Sequence, residues 1–246
     1  MPLTPKRVLR TFKYAMYFDG VDDYVAVPMS QSLRFTTELT LEAGIILPQS
    51  IGGLYRRSWI FIGAPYDYFY MYNQYSDPNA WVFYIYDTTN NERGLGGFYL
   101  NPASGYHYTA VTWKSGVGGF LFFDGTKPYV TLASSYTIRQ TASQFIIRWA
   151  YYPATFTFAR AYSRALSDSE IQWNYQNPDK PIRNGLVLWL QADPQYIKDI
   201  DNDGVLEWID LSGYNNHGKI YGAQLVQLIK TPSRVLKPAR VLKPVR

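Results

Sequence analysis

The acids of Asp199-Ile-Asp201-Asn-Asp203-Gly204-Val205-Leu-Glu207-Trp-Ile-Asp210 are spaced to do chemistry. Counted from Asp199, carboxylates fall at positions 1, 3, 5, 9 and 12, glycine at 6 and the Val205 carbonyl at 7. Hard oxygen ligands at this spacing can wrap one calcium ion. The flanks do not read as the two helices of an EF-hand, and position 12 is Asp where the longer Glu is usual. The same residues also make a polar turn, because Asp and Asn side chains bond nearby backbone N–H groups. Both readings of Asp199, Asp201, Asp203, Val205, Glu207 and Asp210 are open from sequence.

Acid–base or nucleophilic catalysis finds less support. Cysteine is absent, which excludes disulfides, thiolate zinc sites and thiol nucleophiles. The two histidines are His107, between tyrosines on a candidate strand, and His217, in an Asn-Asn-His-Gly turn; both read as structural hydrogen-bonders. Sandwich glucanases place their acids as Glu-x-Asp-x-x-Glu on one strand face. Glu38 and Glu42 frame Leu41 with no third acid, and Glu207 and Asp210 belong to the loop above. The chain reads as non-enzymatic. A third site type is aromatic. Tyr66, Tyr68, Tyr70, Tyr72 and Tyr75, with Trp81 beyond them, place rings on both faces of a strand. They suit either a covered interface or a sugar-stacking platform, with the interface favoured.

The elements that must position these groups read as strands. Aromatics are 17% of the 246 residues and charged residues also 17%, a composition that suits pleated, half-buried surfaces and excludes a disordered body. Tyr14 to Pro28 reads as a hairpin around Asp19-Gly-Val-Asp22-Asp23, whose carboxylates can hold the corner. Further strands are expected at 39–47, 58–64, 68–75, 81–86, 106–114, 119–124, 144–150 and 155–162, each bounded by turn residues. Ser167-Asp-Ser-Glu170 is a capping box, so a short helix follows, stopped at Asn177-Pro178. Many short strands with turns between them predict an all-β, two-sheet antiparallel jelly-roll sandwich with one short helix.

Charge is uneven. Residues 1–13 hold +4 and residues 230–246 hold +6, so the body between them is acidic although the whole chain is +5. Thr4-Pro-Lys-Arg-Val-Leu-Arg10 is echoed by Thr231-Pro-Ser-Arg-Val-Leu-Lys237 and by Arg240-Val-Leu-Lys-Pro244. Val-Leu pairs and spaced prolines favour an extended strap over a nucleic-acid arm, although nucleic acid stays a possible partner. No apolar run is long enough to span a bilayer, and no apolar segment follows the basic N-terminus as in a secretory signal.

Three stretches resemble the laminin G-like, concanavalin A-like sandwich family: the Phe18-Asp-Gly-Val-Asp-Asp-Tyr-Val25 corner, Tyr108-Thr-Ala-Val-Thr-Trp113 with Phe122-Phe-Asp-Gly125, and Phe158-Ala-Arg-Ala-Tyr-Ser-Arg-Ala-Leu-Ser-Asp-Ser-Glu-Ile171. Gly185-Leu-Val-Leu-Trp-Leu-Gln-Ala-Asp193 and Trp208-Ile-Asp-Leu-Ser-Gly-Tyr-Asn-Asn-His-Gly218 look like that family's opening, yet they follow its closing helix here. The resemblance implies a concanavalin A-like fold, a glycan-binding role in many members, and calcium at some loops, Asp19, Asp22 and Asp23 included.

The expected organisation is a basic arm over 1–13, a sandwich over 14–178, a completing segment over 179–229 and a basic tail over 230–246. The completing segment either folds back on its own sandwich as a circular permutation, inserts into a neighbouring copy, or covers one edge. The favoured function is a non-catalytic structural protein of a virion or cell-surface assembly, cytoplasmic before assembly, with self-association and other assembly proteins as partners. The alternative is a glycan-binding, lectin-like module; a glycoside hydrolase comes third. Calcium is the one cofactor considered. The lack of cysteine with abundant Tyr and Ile is in keeping with a hot environment.

Overall fold

The computed structural model describes residues 12–47, 59–64, 69–73, 80–99, 104–127, 135–148, 153–229 and 237–241. In chain order the strands are β1 (Tyr14–Phe18), β2 (Tyr24–Pro28), β3 (Glu38–Leu47), β4 (Trp59–Ala64), β5 (Phe69–Asn73), β6 (Ala80–Tyr86), β7 (Glu92–Tyr99), β8 (Gly105–Lys114) and β9 (Gly118–Phe123). They continue as β10 (Gln144–Arg148), β11 (Ala154–Tyr162), β12 (Leu186–Gln191), β13 (Ile197–Lys198), β14 (Glu207–Trp208), β15 (Gly218–Tyr221), β16 (Gln224–Ile229) and β17 (Lys237–Val241). Among the described residues there is one α-helix, α1 (Asp168–Gln176).

The strands form two antiparallel sheets, ordered β17-β16-β1-β11-β3-β8-β9, with β12 also on β11, and β13-β14-β15-β2-β10-β4-β5-β6-β7. This is the all-β jelly-roll sandwich with one short helix that the strand pattern predicts. Alternation places the core. Leu39, Leu41, Ala43, Ile45 and Leu47 of β3 point between the sheets, where they meet Val25 and Val27 of β2 and Phe145 and Ile147 of β10. No helix among the described residues is long and apolar enough to cross a membrane.

The opening corner is not a hairpin. β1 pairs with β11 and β16, whereas β2 pairs with β10 and β15, so Asp19 to Asp23 carries the chain from one sheet to the other. The physical reason is burial: Met16 and Phe18 on one side and Val25 and Val27 on the other all enter the same core from opposite layers. The turn between β15 and β16 makes the same crossing beside it. Tyr24 and Tyr221 stack there at 4.7 Å. Gly222 has φ +76°, and a Cβ at that position would collide with the Asp23 carboxylate.

β11 joins strands from distant parts of the chain. One of its edges pairs with β3 from Thr155 to Tyr162, with a register shift between Phe156 and Phe158. The other is shared: Ala154 to Phe156 face β1, and Phe158 to Tyr162 face β12. Val187, Leu188 and Leu190 of β12 enter the central core of their own chain. Each such buried side chain contributes roughly 1.5–3 kcal/mol.

The outer face of the eight-stranded sheet carries a second apolar layer under α1, including Tyr108, Phe158, Tyr162, Ile171 and Tyr175. The helix starts at the expected capping box, in which Ser167 Oγ accepts the Glu170 N–H and Glu170 accepts the Ser167 N–H. Arg164 clasps the same carboxylate at 2.6 and 2.9 Å, which with the Ser167 bonds holds its pKa down at about 2. Beneath the helix, Glu42 and Arg160 are register partners on β3 and β11 with side chains 0% exposed. Glu42 Oε2 takes Arg160 Nη1 at 3.3 Å, while Oε1 accepts from Tyr108 Oη at 2.7 Å and from Asn174 Nδ2 at 2.8 Å. Burial, then the adjacent Glu42 charge, pushes the Tyr108 phenol well above its ordinary pKa, so it remains a donor. Arg160 Nη2 donates to the Pro178 carbonyl, and its guanidinium lies 3.9 Å above the Phe158 ring.

Arg160→Met leaves a buried acid without its cation and is expected to cost about 3–5 kcal/mol in urea unfolding. Combining it with Glu42→Leu removes both charges and is expected to cost less than either single change. A double variant as unstable as the sum of the two would contradict this account of the pair.

Candidate functional site

The loop between β13 and β14 gathers part of the predicted calcium set. Carboxylate oxygens of Asp199, Asp201 and Glu207 lie within 4.8 Å of one another. Each also bonds the loop's own backbone: Asp199 Oδ2 accepts from Gly204 N, Asp201 Oδ1 from Asp203 N, and Glu207 Oε2 from Ile200 N. Val205 enters as an N–H donor to Asp203 Oδ1. The outer oxygens of Asp201 and Asp203 both face Lys219 Nζ, at 2.8 Å for Asp201. These bonds raise the Lys219 pKa and, with the Val205 N–H, lower that of Asp203. An ammonium group thus stands against two of the five carboxylates. Asp210 lies in a different turn.

A second acidic group, Asp19, Asp22 and Asp23, is similarly close. Asp23 Oδ2 accepts the Asp19 N–H, and Asp19 Oδ1 accepts the Val21 N–H, as a corner-holding role predicts. Burial, and the neighbouring charges of Asp19 and Asp22, raise the Asp23 pKa against the lowering effect of the Asp19 N–H bond. Either cluster offers carboxylates to a divalent ion such as calcium. The fit is partial at the 199–207 loop, where Asp199, Asp201 and Glu207 converge but Lys219 engages both Asp201 and Asp203.

Both histidines hold turns. His107 Nδ1 lies 2.7 Å from Asp124 Oδ2, and His217 Nδ1 accepts the Asp210 N–H at 3.0 Å. Both histidines are thus engaged within the fold, and the chain carries no cysteine. Of the aromatic run, Tyr66, Tyr68 and Tyr75 lie outside the described residues; Tyr70 and Tyr72 fall on β5 and Trp81 on β6.

Asp210 anchors a feature that the sequence did not single out. Its Oδ1 accepts the N–H groups of Trp189 and Ser212, and its Oδ2 accepts Ser212 Oγ and the Asn216 N–H, at 2.6–3.0 Å. Asn216 Nδ2 reaches on to the Val187 carbonyl at 2.7 Å and to Ser32 Oγ at 2.9 Å. The turn passes through left-handed backbone at Gly213 (φ +98°) and Asn215 (φ +58°), presenting Tyr214 between them, 55% exposed. Tyr214 stands at one wall of a cleft of about 400 Å³; Ser32, Arg34, Thr36, Glu38 and Ser163 also line it. That volume suits a small ligand. Four segments far apart in sequence meet here, at 31–38, Ser163, Val187 and Tyr214, and their residue types are common on any surface. The one available signal was the Asp-Leu-Ser-Gly-Tyr-Asn-Asn-His turn itself.

Asp210→Ala strips an acceptor from four donors and is expected to lower stability by about 2–3 kcal/mol in urea unfolding. A loss below about 0.5 kcal/mol, the range of an ordinary surface change, would show that the turn does not depend on this carboxylate.

No protein-family model matches the sequence, and neither does any curated protein. Solved structures match at the level of fold. The receptor binding domain of botulinum neurotoxin D aligns with TM-score 0.55 and 10% identity, over 87% of this chain and 63% of that one. The receptor binding domain of botulinum neurotoxin mosaic serotype C/D gives 0.56 and 12%, over 90% and 59%. The binding domain of Paraclostridial Mosquitocidal Protein 1 gives 0.53 and 11%, over 92% and 64%. The chain therefore spans less than two thirds of each of these structures, and what they share with it is the fold, a two-sheet β-sandwich.

Proposed function

We propose that this chain is a glycan-binding, lectin-like module whose site is the cleft beside Tyr214. One observation carries the reading: an exposed tyrosine, on a turn held by the Asp210 carboxylate, lines a cleft together with serine, threonine, glutamine, arginine and glutamate residues. Sugars are recognised by that combination, with apolar C–H faces on an aromatic ring and hydroxyls on fixed polar groups. The similarity to toxin receptor-binding domains supports the same class of role. The reading placed first on sequence, a structural part of a virion or surface assembly, yields to it.

The organisation goes with this function. Residues 14–178 and 179–229 are taken as one permuted sandwich, with the family's opening strands supplied from the far end of the chain and basic arms at 1–13 and 230–246. The Asp199, Asp201 and Glu207 cluster is taken as the place for a calcium ion, which would displace Lys219 from Asp201 and Asp203.

Tyr214→Ala is expected to weaken binding to a glycan-array hit by about tenfold, the scale of one aromatic stacking contact, with an unchanged unfolding midpoint. Full binding by this variant would remove the cleft from consideration. For the metal, adding millimolar calcium after chelator treatment is expected to raise the unfolding midpoint, and Asp199→Asn to abolish the rise. No calcium effect on the unmodified chain would refute this assignment.

A further inference from the structure

We infer that the Asp19–Asp23 corner seats the chain's own Leu242-Lys-Pro-Val-Arg246 segment, whose cations meet the carboxylates of the corner. This stands apart from the glycan-binding reading and does not depend on it. β17 sets the direction. It pairs antiparallel with β16, with Lys237 opposite Ile229, Pro238 opposite Leu228 and Val241 opposite Val226. Each step along β17 therefore approaches Gln224, where β16 begins. The same register carried on would set Leu242 opposite Leu225 and Lys243 opposite Gln224. Next comes the β15–β16 turn, where Gly222 lies against the Asp23 carboxylate and Tyr221 stacks on Tyr24. On the other side of β16, Tyr17 of β1 stands opposite Gln224, and the chain runs on from Phe18 into Asp19. Pro244, Val245 and Arg246 are left to cross that turn, and three extended residues reach about 10 Å, roughly two strand spacings.

Charge favours the same seat. Carboxylate oxygens of Asp19, Asp22 and Asp23 lie within 4.8 Å of one another, and among the described residues no lysine or arginine pairs with them. Asp19 and Asp23 are engaged by the N–H groups of Val21 and Asp19, whereas Asp22 is exposed and has no partner among the described residues. Burial, then the charges of Asp19 and Asp23, raise the pKa of the neighbouring Tyr17 phenol. Lys243 and Arg246 supply the positive charge that the corner lacks. Apolar surface matches as well: Val21 is 75% exposed at the tip of the corner and Tyr221 is exposed beside it, while Leu242 and Val245 are interleaved with the cations. A single exposed ion pair is weak, but a segment tethered this close meets its seat at high effective concentration. Once seated, it also covers the start of the β16 edge, whose backbone groups could otherwise pair with another chain.

The test uses the full chain, in dilute, chelator-treated buffer of low salt. With no cysteine elsewhere, a nitroxide attached through Pro244→Cys is the one spin label present. It is expected to broaden the backbone amide signals of Val21 and Gly222 in nuclear magnetic resonance spectra. That broadening is expected to be lost in 1 M salt, where charges are screened beyond about 3 Å. It is also expected to be lost on adding Asp22→Lys, which removes no bond of the fold. Absent broadening, or broadening that survives both the salt and Asp22→Lys, would overturn the inference, the second result showing that the tether alone brings the segment near. Mixing spin-labelled chain with isotope-labelled chain that carries no nitroxide separates the remaining case. Broadening that passes between the two would assign the corner to the tail of a second copy and overturn seating within one chain.

Discussion

The ion pair between Glu42 and Arg160 sets the terms for the rest of the molecule. The two residues face each other across β3 and β11, on the outward side of a sheet whose inward side is apolar. Because side chains alternate along a strand, a slip of either strand by one residue would turn its own charge into the core and leave the other without its partner. The pair therefore penalises wrong registers between the two central strands more than it stabilises the right one, as expected for charges fully removed from water. It also requires a roof. Tyr108 and Asn174 complete the shell of Glu42, and Asn174 extends it by accepting the Ile182 N–H at 2.8 Å. The helix is thus docked by hydrogen bonds that only its correct position can make.

The position of the helix then determines where the chain goes next. After α1, residues bonded to Asn174 and Arg160 lead the backbone to β12, on the part of β11 that β1 leaves uncovered. From there β14 and β15 extend the second sheet beside β2, and β16 returns beside β1. The cleft is a consequence of this path. Its Tyr214 turn hangs on the Trp189 N–H and the Val187 carbonyl of β12, and its opposite wall is the segment leading into β3. Both walls are thereby tied to the strands that hold the buried pair.

Strands whose residues alternate or carry many aromatics were readable, β3, β8 and β11 among them, because burial on one face imposes a period of two. The capping box announced α1 for an equally local reason. β7 escaped notice because Glu-Arg-Gly-Leu-Gly-Gly-Phe-Tyr is rich in glycine, which has no strand preference of its own; its partner β6 supplies the order. β15 and β16 were missed for a similar reason, since Lys219, Gln224 and Gln227 interrupt their apolar residues. The corner at Asp19 to Asp23 was legible as a turn but not as a crossing between sheets. Local chemistry specifies how tightly a chain bends, and only the shared core specifies which layer receives it.

The same distinction explains the acids. Asp19, Asp23, Asp87, Asp199, Asp201, Asp203 and Asp210 all accept backbone N–H groups of turns. A sandwich with many short strands leaves many such donors unpaired by its ladders, and a carboxylate two to five residues away is the nearest strong acceptor. Asp-rich spacing in such a protein therefore reports turn density first, and metal binding only where oxygens are left over. In the 199–207 loop Lys219 meets part of that surplus, which is why the spacing of the acids overstates the ligand set. The residues that line the cleft have no motif of their own. Ser32, Arg34, Glu38 and Tyr214 are brought to one place by the pairing of strands that lie far apart in the chain.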